Sequence, residues 1–143
     1  MNIEVMKMRK MTIGFLTMLL LLFSQVCFAA SYELVYTDAL GGQVLIDKDS
    51  VQPMQYKVWD CYKATTKVVF SKPMGNISYS VLYNLVNKET KEYALAYVEN
   101  FDANNTLLSS LDKSGKLQWQ SYTENSDTAK VIDKIIEIGK TGQ

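Results

Sequence analysis

Histidine is absent from the 143-residue chain, and that absence excludes more chemistry than any residue present suggests. Without an imidazole there is no histidine general base, no Ser-His or Cys-His nucleophile pair and no histidine metal ligand. Arginine is nearly as scarce, since Arg9 is the only one. Cysteine occurs only at Cys27 and Cys61, too few for a thiolate zinc site. Proline is confined to Pro53 and Pro73, both expected near turns. No Pro-, Gly- or Ser-rich linker divides the chain, and no internal repeat is visible. P-loop, GxSxG and dinucleotide fingerprints are missing, and Leu40-Gly41-Gly42-Gln43 reads as a turn.

The first thirty residues have the layout of a secretory signal peptide. Lys7, Arg9 and Lys10 supply a positive start, and Met11 to Phe23 carries no charge. That run is shorter than the roughly 18–20 apolar residues that cross a bilayer. Cleavage is expected after Ala29, with small Cys27 and Ala29 at the −3 and −1 positions; Ala30 is the neighbouring alternative, disfavoured by Phe28. Ser24 and Val26 are wrong for a lipobox around Cys27, so lipid anchoring is not expected. The expected product is an extracytoplasmic domain (periplasmic, surface-bound or released) that meets the membrane only through its leader before cleavage.

Residues 1–29 are thus read as the leader, and residues 30–143 as one domain of 143 − 29 = 114 residues, large enough to bury its own core. It retains 12 lysines against 14 acidic residues, a net charge of 12 − 14 = −2. Nucleic acid is therefore a poor partner. With Cys27 removed, Cys61 has no intrachain partner, and burial is the expected fate of its thiol.

The pattern along the chain is mostly β. Tyr32–Thr37 reads as a strand, followed by a turn over Asp38–Gly42 and a return strand at Val44–Asp47. Lys48–Val51 reads as a bend or a short helical turn. Tyr56–Phe70 reads as one long strand, with Tyr56, Val58, Asp60 and Tyr62 on one face and Lys57, Trp59, Cys61 and Lys63 on the other. A loop is expected over Ser71–Asn76. Ile77–Asn87 and Lys91–Asn100 form a hairpin, for which an even loop would set Tyr83 against Ala94, Val81 against Ala96 and Tyr79 against Val98. An odd loop would stack tyrosines instead. Leu107–Leu111 and Leu117–Tyr122 read as two further strands.

The period changes at the end of the chain. Ser126 or Asp127 caps a helix whose apolar stripe is Ala129, Ile132, Ile135, Ile136 and Gly139. The fold class is α+β, about six antiparallel strands with one C-terminal helix packed on the sheet. Trp59, Cys61, Trp119, Ile132, Ile135 and Ile136 are expected to be structural. Asp47 and Asp49 lack the further ligands of a calcium loop, and no spacing singles out a carboxylate pair for hydrolysis. No enzyme activity, cofactor or metal is expected.

The order of landmarks resembles the surface-adhesin protein E family of Gram-negative bacteria. Tyr32-Glu-Leu-Val, then Val44-Leu-Ile-Asp47-Lys-Asp-Ser50-Val51, then Tyr56-Lys-Val-Trp59 precede a Tyr-rich hairpin. Trp119 follows shortly before the terminal helix. The resemblance spans Ser31 to about Ile138. It implies a six-stranded antiparallel sheet with a short C-terminal helix, and an exported binding module contacting extracellular or host matrix proteins such as laminin and vitronectin. Two features depart from the family: a second cysteine is lacking near the helix, and so is a lipid anchor. The competing expectation is a periplasmic or envelope accessory domain that binds a small ligand. A deep apolar cavity would favour that reading, and a flat aromatic face would favour a protein partner.

Overall fold

A computed structural model describes Ala30–Gly142; the leader and the cleavage position at Ala29 lie outside the described residues. Six antiparallel strands form one sheet in chain order: β1 (Tyr32–Thr37), β2 (Gln43–Tyr56), β3 (Trp59–Met74), β4 (Ile77–Asn87), β5 (Tyr93–Phe101) and β6 (Leu107–Asp112). One helix, α1 (Asp127–Thr141), follows and lies over β1–β4. The expected α+β arrangement is therefore the fold.

Alternation and capping explain most of these elements. Ser126 caps α1, its Oγ accepting the Ala129 N–H at 3.1 Å. Ala129, Ile132, Ile135, Ile136 and Gly139 are the buried positions of the helix, a stripe at helical spacing. They meet Ile46, Tyr62, Ala64 and Val86 from the sheet. Gly139 lets the helix approach closely, because a Cβ there would run into the Tyr62 ring. Lys134 ties α1 to β1 through Glu33 at 2.9 Å.

Several local expectations give way to longer strands. Lys48–Val51 is not a separate bend: β2 continues through it, with a register irregularity between Asp47 and Gln52. The Ser50 hydroxyl bridges that irregularity, donating to the Asp47 carbonyl at 2.7 Å and accepting the Thr65 N–H at 2.7 Å. Pro53 sits inside β2, opposite Tyr62. It is tolerated because β1 pairs only with Gln43–Asp47, so the later half of β2 is an outer edge.

Tyr56–Phe70 is not one strand. The chain reverses at Lys57-Val58, with Tyr56 paired to Trp59 and Lys57 at φ 54°. A two-residue hairpin turn needs positive φ, and Lys-Val carries none of the Asn or Gly that normally signals it. The expected Ser71–Asn76 loop also shrinks to a two-residue turn, because β3 runs to Met74 and Gly75 takes φ 61°. Leu117–Tyr122 is not a strand. After a 3₁₀ turn at Ser114–Lys116, this segment makes only a single bridge, Gln120 to Tyr93.

The β4–β5 register also differs from the even-loop expectation. Val86 faces Tyr93 and Leu85 faces Ala94 near the turn. A bulge at Ala96 then shifts the ladder, so Tyr83 faces Tyr97 and Tyr79 faces Phe101. One extra residue on β5 exchanges the faces beyond it, and it is this bulge that brings the tyrosines together.

Candidate binding surface

Directly paired residues share a sheet face, so the register sorts every strand residue. Glu33, Ile46, Tyr62 and Val86 point toward α1, and the alternate positions form the opposite face. Three cross-strand rows cross that second face. One runs Asp47, Thr65, Tyr83, Tyr97, Asp112; the next Leu34, Leu45, Lys67, Val81, Glu99, Ser110; the third Gln43, Val69, Tyr79, Phe101, Leu107.

The hairpin end of this face is closed. Cys61, Leu85, Asn87 and Ala94 are all buried there. Trp119 reaches the same side, its ring 5.4 Å from Trp59 and 5.7 Å from Tyr56. Cys61 is fully buried, and that burial raises its thiol pKa above the usual value. The expected route to this burial, a core-facing Trp59, does not hold. Trp59 is 41% exposed and belongs to an aromatic cluster at the rim rather than to the core. Trp119 likewise joins that cluster, from a segment that is not a strand. Ile132, Ile135 and Ile136 lie in the main core, on the other side of the sheet.

The rest of the face is open. Tyr83 and Tyr97 lie 5.5 Å apart and tilted, while Tyr79 and Phe101 stack at 4.9 Å with an angle of 9°. The Lys67 ammonium sits 4.1 Å over the Tyr79 ring and 5.6 Å from that of Tyr32, within cation–π range. Tyr83 donates to the Glu99 carboxylate at 3.0 Å. Partial burial, followed by that carboxylate, pushes the Tyr83 pKa up to about 12. Burial likewise raises Tyr32, aided by Asp47, and Tyr79, aided by Asp102. Each phenol therefore stays neutral and keeps its proton for donation.

Between the closed end and the Tyr83–Tyr97 pair lies a shallow apolar dent of about 340 Å³. Leu85 and Ala96 contribute to its lining, together with Met54, Lys63 and Tyr83. Lys63 makes no ion pair among the described residues. The bulge residue Ala96 is one of those lining the dent, and period-two reading passes over a bulge.

Among the described residues no cluster of three or more Cys, Asp or Glu side chains is placed to hold a metal. Asp47 accepts the Asp49 N–H at 3.2 Å, an ordinary turn contact. No described helix is long and apolar enough to cross a membrane. No family model, curated protein or solved structure matches the chain.

Proposed function

We propose that this chain is an exported, non-catalytic binding module that engages an extracellular or envelope protein across the open face of its sheet. The observation that carries this reading is the two exposed-face aromatic pairs, Tyr83–Tyr97 and Tyr79–Phe101, on either side of Val81 and Glu99 and beside an apolar dent. Aromatic residues with polar tips provide large contact area at low entropic cost and are enriched at protein interfaces. Lys63 and Lys67 favour acidic groups on the partner. The lack of histidine supports a binding role over catalysis, and the resemblance to surface adhesins points to matrix proteins as the partner class. The shallow dent suits a protruding apolar side chain better than an enveloped small molecule.

The test is surface plasmon resonance of the mature domain on laminin and vitronectin. The Tyr83→Ala/Tyr97→Ala double variant is expected to weaken binding by about tenfold or more, as truncation of interface anchors does. Its thermal midpoint should stay close to that of the parent. Lys130→Glu, on α1, serves as the control and should bind normally. Binding that survives the double variant unchanged would overturn the open-face reading.

A further inference from the structure

Strand β5 is paired on its β6 side in two separate places. Tyr93 and Gln120 exchange both main-chain hydrogen bonds, at 3.0 and 2.9 Å. Pairing with β6 begins again at Tyr97, opposite Asp112. Between these points the 113–119 segment swings away, and only the Lys113 N–H returns, to the Ala96 carbonyl at 2.8 Å. Leu95 lies two residues beyond Tyr93, so its N–H and C=O turn to the same side. Among the described residues, no main-chain group of β6 or of the 113–120 segment meets them.

A groove of about 640 Å³ opens at this gap, lined by Tyr93, Leu95, Lys113, Lys116, Gln118 and Gln120, with Asp112 and Gly115. Neither Lys113 nor Lys116 makes an ion pair among the described residues. Asp112 is already engaged, accepting the Ser114 N–H at 2.9 Å and the Ser114 hydroxyl at 2.6 Å. Two ammonium groups against one occupied carboxylate leave the groove positive.

We propose that this groove captures the carboxyl terminus of an extended polypeptide. The protein's own pairing closes the gap at Tyr93 and again at Tyr97, so a through-running strand has no room along β5. A chain end can enter. Its penultimate residue would face Leu95, offering its N–H to the Leu95 C=O and its C=O to the Leu95 N–H, in the manner of antiparallel strand addition to a sheet edge. Lys113 and Lys116 would hold the terminal carboxylate, whereas an amino terminus would meet two like charges. Tyr93 and Leu95 offer apolar surface for the final side chain. Apart from Asp112, the groove's lining residues are not in the rows of the open aromatic face, and the two readings stand or fall independently.

The probe is N-acetyl-tetraalanine with a free carboxylate, titrated into the mature domain while amide chemical shifts are followed by NMR. The Leu95 and Gly115 amides should shift most. The carboxamide form of the same peptide should bind about tenfold more weakly, as loss of a charge-assisted contact entails. Lys113→Gln/Lys116→Gln should lose affinity to the same extent with an unchanged thermal midpoint. Lys116→Gln alone provides the check if the double variant does not fold, and it too should weaken binding. No Leu95 shift at millimolar peptide, or equal binding of acid and carboxamide, would overturn the proposal. Shifts confined to open-face amides such as Thr65 and Tyr83 would also overturn it.

Discussion

The two faces of one sheet are built from alternating residues of the same strands, yet they follow different rules. Toward α1 the sheet presents Ile46, Tyr62, Ala64 and Val86, closed over by Ile132, Ile135 and Ile136. On the other side, Tyr32, Tyr79, Tyr83, Tyr97 and Phe101 stand among Leu34, Leu45, Val69 and Val81, with Lys67 and Glu99 between them. A covered face rewards close packing of branched aliphatics. An uncovered face must remain soluble, and tyrosines that carry hydroxyl partners such as Glu99 and Asn105 meet that need. Stability should therefore reside on the covered face and recognition on the open one.

Truncation in the covered layer should break that division most visibly. Ile135→Ala empties a fully buried position and is expected to cost about 2–5 kcal/mol in urea unfolding. Gly139→Ala places a methyl group against Tyr62 and should cost about 1–3 kcal/mol through overpacking. Ser126→Ala removes the helix cap, and about 1 kcal/mol should be lost in the same assay. On the open face the effects should be small. Tyr83→Phe should change stability by no more than about 0.5 kcal/mol, as expected for a partly exposed site. A larger loss would show that the Tyr83–Glu99 contact supports the fold.

A further effect is a pH dependence. Tyr83 and Tyr122 hold their protons to about 12 in the folded chain, while unfolded tyrosine releases its proton near 10. Between those values the unfolded state binds fewer protons, so stability should fall as pH rises through this window and be full below it. Thermal midpoints measured across the alkaline range should show the decline. Tyr83→Phe should make it shallower.

The helix half of the covered face was legible in the sequence, because helical spacing from Ala129 to Gly139 and the capping residue Ser126 act locally; the sheet half was not, since the Trp59 side of β3 rather than the Tyr62 side was expected to face the core. The strands β1 and β4 match their expected bounds, and β6 runs one residue past its expected end. The open face was not legible. Its composition depends on a single bulge at Ala96, and no residue type announces a bulge when alanine occupies it. The Lys57-Val58 reversal was hidden for a related reason: a lysine at positive φ interrupts no alternating pattern. Cys61 was expected to be buried through a core-facing Trp59. Its burial comes instead from the closed end of the opposite face, where Leu85, Ala94 and Asn87 are buried with it.

Strand order along the sheet equals strand order along the chain, and this bears on how the molecule is assembled. Each strand finds its partner next to it in sequence, across short connections, so most of the ladder closes only small loops. Such local pairing favours fast folding for a β-rich chain. The sheet can grow hairpin by hairpin as polypeptide emerges. The layer under α1 cannot, since Ile46 on β2 waits for Ile132, Ile135 and Ile136 from the far end. A nascent chain lacking α1 therefore holds a formed ladder with one bare apolar side. That interval, between the last strand and the docking of the helix, is when the chain most needs protection from its neighbours.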